Sequence, residues 1–243
     1  VTIAGSNDAA VISGASTASL TETNDAQTVT GTLTSTDADG TNNLFTALAS
    51  TAGTNGYGKF SMSTSGAWTY IMDNAHNEFE QGINYTDSVT VTAADGTEQI
   101  ITVTITGAND AAIISGASTA SLTETNDAQT ATGTLTSTDV DGTNNLFTAL
   151  SSTAGTNGYG KFSMTTGGAW TYIMDNAQDQ FKAGINYTDS VTVSAADGTA
   201  QIITVTIAGS NDAAIISGAS TASLTETNDA QTATGTLTST DVD

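Results

Sequence analysis

Cysteine and proline are absent from the 243 residues, and positive charge is confined to Lys59, Lys161, Lys182 and the single histidine, His76. Each absence excludes something. Without cysteine there is no disulfide framework and no thiol nucleophile. Against 25 Asp plus Glu the formal net charge is -22. No basic footprint can neutralise phosphates, so nucleic acid is excluded as a partner. His76 is replaced by Gln178 where its stretch recurs, so catalysis has little to stand on and no enzyme is expected. Without proline, turns fall to Gly and to Asn-Gly or Asp-Gly pairs. No apolar run approaches the roughly 18 to 20 residues of a membrane span. A chain rich in Thr, Ser, Gly and Asn, poor in Lys and free of cysteine suits an extracellular or cell-surface protein. Metal ions or core burial would supply its stability in place of disulfides.

What is present is repetition. The phrase VTIAGSNDAA at Val1–Ala10 returns as VTITGANDAA at Val103–Ala112 and as VTIAGSNDAA at Val205–Ala214, a period of 102 residues. Two full periods leave 39 residues of a third, 243 less 204, so the chain reads as a window on a longer array. A period of about 100 residues suits a bead that folds alone rather than a solenoid turn. The expected organisation is an end strand and linker at 1–8, repeats at 9–110 and 111–212, and a partial repeat at 213–243.

Within a repeat, apolar positions alternate in short runs. A first strand covers Ala10–Leu20 with a kink at Ser13-Gly14, and a second covers Gln27–Ser35 through Val29, Gly31 and Leu33. Leu44–Leu48, Tyr57–Met62 and Ala67–Met72 follow, with Ser50–Gly56 read as loop and Trp68, Tyr70 and Met72 on one face. Asp73–Asn84 is the one stretch suited to a helical turn. Tyr85–Ala93 and Glu98–Ile105 form the last hairpin around Asp95-Gly96. Seven short strands in about 100 residues predict an all-β fold, tandem immunoglobulin-like Greek-key β-sandwiches.

That topology sorts the acids. Asp139, Asp141 and Asp197 should crown the second repeat, Glu22 and Asp25 should hang from the first, and Asn109-Asp110 should join them. Converging carboxylates repel, and a hard divalent cation with six to eight oxygen ligands relieves them, which makes calcium (Ca2+) the natural candidate. The bland alternative is that Asp-x-Asp-Gly and Asp-Gly are simply turn formers. The set favours metal. Asp8, Glu22, Asp37, Asp39 and Asp95 recur as Asp110, Glu124, Asp139, Asp141 and Asp197, whereas Glu78 and Glu80 become Gln180 and Lys182. Asn211, Asp212, Asp241 and Asp243 continue the series in the third copy.

The line from Tyr85 to Gly96, YTDSVTVTAADG, the phrase ITVTITGAND and Gly31–Gly40, GTLTSTDADG, resemble the VCBS-type repeats of large bacterial surface adhesins. More loosely the chain is similar to cadherin repeats. That likeness implies a base glutamate at Glu22, a linker at Asn109 and Asp110, and calcium-binding turns at Asp139, Asp141 and Asp197. The proline that often follows the Asn-Asp linker is Ala here, and the acidic motif before the sixth strand has Glu80 in one copy and Lys182 in the next. These departures argue for one or two ions per joint. The resemblance implies a calcium-stiffened spacer in cell adhesion and biofilm. Its partners would be neighbouring repeats, identical chains in a filament or matrix, and surface glycans or proteins reached through other domains.

Other features read as structural. Trp68 and Trp170 alternate with Tyr and Met as core residues rather than sugar platforms. Tyr85 and Tyr187 resemble corner tyrosines. The Asp37 loop is no EF-hand, because its glycine comes fourth and its twelfth residue is Leu48. The sequons at Asn84 and Asn186 are taken as strand-entry residues. Val1–Gly5 and Ile215–Ser239 lack the strands that would cover Ala222, Leu224 and Leu237, which predicts cover by neighbouring chains or by the continuing polymer.

Overall fold

The computed structural model describes residues 1–40 and 42–243, and among them there are strands and turns but no helix. The chain divides into two compact units, Val1–Ala111 with Asp139–Thr143, and Ala112–Thr138 with Asn144–Asp243. In the first unit the strands are β1 (Val11–Gly14), β2 (Thr17–Thr21), β3 (Thr28–Thr36), β4 (Leu48–Ala52), β5 (Gly58–Met62), β6 (Ala67–Met72), β7 (Asn84–Thr92) and β8 (Glu98–Thr106). They build a five-stranded sheet, β1-β3-β6-β5-β4, and a three-stranded sheet, β2-β8-β7.

Period-two patterning explains both faces. Along β3 the threonines at 28, 30, 32, 34 and 36 point outward, while Val29, Gly31, Leu33 and Ser35 take the inner positions. β-Branched Thr suits a solvated pleat, and the inner residues meet Trp68, Tyr70 and Met72 of β6 and Ile101, Val103 and Ile105 of β8. Each fully buried large side chain of this kind contributes about 1.5–3 kcal/mol. The indole of Trp68 lies against Gly31, where any Cβ would overlap it, and its Nε1–H donates to Ala15 O at 2.8 Å. Tryptophan is thus core, and its polar edge is satisfied.

The kink at Ser13-Gly14 is a change of sheet. β1 runs antiparallel to β3 and β2 parallel to β8. Gly14 makes the crossing at φ 108°, with a Cβ blocked by Thr32 O. The first strand therefore counts as two, and among the described residues each of the two full repeats has eight strands.

Two other expectations need correcting. Leu44–Leu48 is reduced to a bridge between Phe45 and Ala93, and the regular strand β4 lies in residues partly read as loop. Ser50, at φ 43°, makes a bulge that turns the chain from β7 toward β5, and Ser-Thr-Ala composition hides it. The helical turn in Asp73–Asn84 does not form either. Positive φ at His76 (58°) and Gly82 (76°) breaks any helical run.

Asp87 is fully buried in this unit. It accepts from the backbone N–H of Asn55 (2.9 Å), Tyr57 (3.1 Å), Gly58 (3.2 Å) and Ser88 (3.1 Å), and from the Tyr70 hydroxyl at 3.2 Å. Burial first, and then the Asp87 charge, raise the Tyr70 hydroxyl well above its usual value, so it stays a donor.

The second unit repeats the design with β9 (Ile113–Gly116), β10 (Thr119–Thr123), β11 (Thr130–Thr138), β12 (Leu150–Ala154), β13 (Gly160–Met164), β14 (Ala169–Met174), β15 (Asn186–Ser194) and β16 (Ala200–Ala208). Its sheets are β12-β13-β14-β11-β9 and β10-β16-β15, and Asp189 holds the place of Asp87. β17 (Ile215–Gly218) and β18 (Leu237–Thr240) pair antiparallel, with Leu224 and Leu237 exposed.

Asp87→Ala should destabilise the first unit by about 3 kcal/mol or more, since several buried N–H groups lose their acceptor at about 1–3 kcal/mol each. Urea unfolding in chelator checks this, and a loss below about 1 kcal/mol would show that water replaces the carboxylate without cost.

Candidate metal centre

Parallel pairing of β2 with β8 delivers Glu22 to the end of β8. Glu22 N–H donates to Thr106 O at 2.8 Å, and Ala108 N–H donates to Glu22 Oε2 at 3.0 Å. Two residues on, Asn24 Nδ2 donates to Asp110 Oδ1 at 3.0 Å, and Asp110 N–H donates to Asp141 Oδ1 at 3.3 Å. Glu22, Asp110 and Asp141 are all buried. Each of Glu22 and Asp110 has only one oxygen satisfied; Glu22 Oε1 and Asp110 Oδ2 are buried without a hydrogen-bond partner. Desolvation, then the charges of Asp110, Asp141 and Glu78, raise the Glu22 carboxyl above its ordinary range. Desolvation and Asp139 do the same to Asp110.

The second unit carries its own cluster. Ser210 donates through N–H (3.1 Å) and Oγ (2.8 Å) to Glu124 Oε2, Asn126 Nδ2 donates to Asp212 Oδ1 at 3.1 Å, and Asp212 N–H donates to Asp243 Oδ1 at 3.4 Å. Oxygens of Glu124, Asp179 and Asp212 lie within 4.8 Å of one another. Glu124 Oε1 and Asp212 Oδ2 are again buried and unpartnered. Desolvation, then Glu124, Asp179 and Asp243, raise the Asp212 carboxyl.

The remaining predicted residues make local hydrogen bonds. Asp37 Oδ1 accepts from Asp39 N–H at 3.2 Å, and exposed Asp39 accepts from Asp8 N–H at 3.2 Å. Asp95 accepts from Thr97 N–H and Oγ1 and from Ala10 N–H at 2.8 Å, and Asp197 does so from Thr199 and from Ala112 N–H at 2.9 Å. Asn109 and Asn211 turn their amides back onto the carbonyls of Asp110 and Asp212. Asp241 and Asp25 are exposed. Sequence reading missed Asn24 and Asn126, which orient the linker aspartates, and Asp179, three residues before Lys182. Asp179 is exposed in an irregular loop that brings one of its oxygens to Glu124 and Asp212; its counterpart in the first repeat is Asn77.

The donor sets fit a hard cation. They are all oxygen, multiply anionic, and leave lone pairs that no protein donor meets, an arrangement that is unfavourable unless something positive binds there.

The family profile of the bacterial cadherin-like domain matches residues 7–107 and 109–209. The chain belongs to that family, as two tandem domains. No curated protein matches it. Among solved structures it is similar to a protocadherin GammaB4 extracellular domain, at 16% identity over 90% of this chain and 35% of the other, with TM-score 0.49. It is also similar to mouse cadherin-23 EC22-24, at 14% identity over 87% of this chain and 69% of that one, with TM-score 0.47. The chain therefore spans little more than a third of the first of these ectodomains.

In chelator, Glu22→Gln should leave stability at neutral pH equal to or above that of the parent. The folded carboxyl is raised, so as pH climbs through the ordinary carboxylate range the unfolded chain ionises first and the folded state loses stability. Glutamine removes that loss and keeps the acceptor for Ala108. The gap should close at acid pH, and in calcium the order should reverse. Calorimetric Tm against pH checks it, and a variant less stable than the parent in neutral chelator would contradict the repulsion.

Proposed function

We propose that this chain is a segment of a large extracellular adhesin, a non-catalytic spacer stiffened by calcium where one repeat follows the next. One observation carries the reading: the buried, unpartnered carboxylate oxygens that recur at Glu22 and Asp110 and again at Glu124 and Asp212. Glu22, Asp110, Asp139 and Asp141 would hold calcium in the first cluster, and Glu124, Asp179, Asp212, Asp241 and Asp243 in the second. The turns at Asp37, Asp39 and Asp95 would orient the entering linker at Asn7, and Asp197 the one at Asn109. Bound calcium would supply positive charge to these oxygens. Extracellular sites of this kind bind at about 0.1 to 1 mM, so they fill outside a cell and empty within it.

A spacer needs cores that survive on their own and connections whose stiffness responds to the medium. The saturated Asp87 and Asp189 cages support the first requirement, and the half-satisfied clusters support the second. Cell adhesion and biofilm are the settings in which such reach is useful. The sugar-platform alternative loses its residues, because Trp68 and Trp170 are buried in the two cores. Among the described residues no helix is long and apolar enough to cross a membrane.

Chelation should raise interdomain flexibility while each core stays folded. Small-angle scattering at low salt, with calcium and with chelator, measures it; equal maximum dimensions in both would remove calcium as a stiffener. Replacing Asp139 and Asp141 with Asn should weaken binding at the first cluster, and calorimetry with unchanged stoichiometry and affinity would return both residues to turn-making.

A further inference from the structure

The two clusters share their glutamate, linker aspartate and orienting asparagine but differ at one ligand position. In the second, Asp179 brings a third carboxylate oxygen within 4.8 Å of Glu124 and Asp212. In the first, the corresponding residue is Asn77, whose Oδ1 is buried without a partner. We propose that the two clusters load calcium unequally, the second at lower free calcium than the first, because Asp179 offers an anionic oxygen where Asn77 offers a neutral one. This rests on the reading of the clusters as calcium sites.

Neighbouring charges work against the ranking and must be weighed. On the first side Glu78 adds negative potential at Glu22, whereas on the second Gln180 replaces it and Lys182 replaces Glu80. Glu78, however, is bonded to His76 Nδ1 at 2.8 Å, and its side chain is 59% exposed. Solvated charges are screened over about 8 Å at physiological salt, while a calcium ligand acts at roughly 2.3–2.6 Å. Ligand charge therefore outweighs the surrounding field. Asn77 still supplies an oxygen, so the first site is weakened rather than lost. Filling one cluster before the other gives the array intermediate stiffness over the range of free calcium between the two midpoints.

Two amides report the sites separately: Ala108 N–H, bonded to Glu22, and Ser210 N–H, bonded to Glu124. In a calcium titration of the whole chain followed by amide NMR, the Ser210 signal should move first, with midpoints separated roughly tenfold, since ligand charge count tunes such sites over decades. Asp179→Asn should raise the Ser210 midpoint to about that of Ala108, and Asn77→Asp should lower the Ala108 midpoint, each leaving the other amide in place. Coincident midpoints in the parent, unmoved by either substitution, would overturn the unequal loading while leaving calcium binding intact. If neither amide responds to calcium at any concentration, both this proposal and the calcium reading fall.

Discussion

A buried carboxylate must find a donor or a cation for each oxygen, and this chain meets that constraint in two opposite ways. Asp87 is closed in by four backbone N–H groups and a tyrosine hydroxyl. Glu22 and Asp110 stop halfway, each with one oxygen bonded and one buried without a partner. The first arrangement is complete within the fold and holds the turn before β5 against β7. The second is incomplete without something positive. Net charge alone would not separate them, because both are acids on the same -22 background.

Strand topology decides which acid receives which treatment. By leaving the larger sheet at Gly14 and joining β8 in parallel, the first strand carries Glu22 to the place where β8 gives way to the Asn109-Asp110 linker. An ordinary antiparallel hairpin would turn Glu22 back along the sheet. The Trp68 bond to Ala15 and the space left by Gly31 fix that crossing, so a core contact on one sheet positions a carboxylate on the other.

Much of this was legible in the sequence. Alternation through Trp68, Tyr70 and Met72 and through Ile101, Val103 and Ile105 marks the core because burial on one face of a strand leaves a period of two. Glu22, Asp110 and Asp141 could be placed from the end of the sandwich to which each turn belongs. What stayed hidden lacks a period. β4 is Leu-Ala-Ser-Thr-Ala with a bulge, and its pairing is decided by β5. Asp179 sits in an irregular loop, where spacing suggested Glu80 and Lys182 instead. Asp87 looks like one more polar residue in YTDSV, although it faces inward in phase with Val89 and Val91, and that phase was the available signal.

Burial at the linker aspartate takes two parts of the chain. Asp8 and Asp39 are the counterparts of Asp110 and Asp141 and make the same backbone-to-carboxylate bond, and Asp110 and Asp141 are buried. Glu22 and Asn24, at the end of β2, cover Asp110. Desolvation therefore arises when the Glu22 end and the Asp-x-Asp turn are brought together, and does not belong to either motif alone. An isolated Asp-x-Asp-Gly turn is a solvated bend that gains little from a cation. The same turn under a buried glutamate has lost water from several lone pairs, and a cation then returns more than the turn alone could offer.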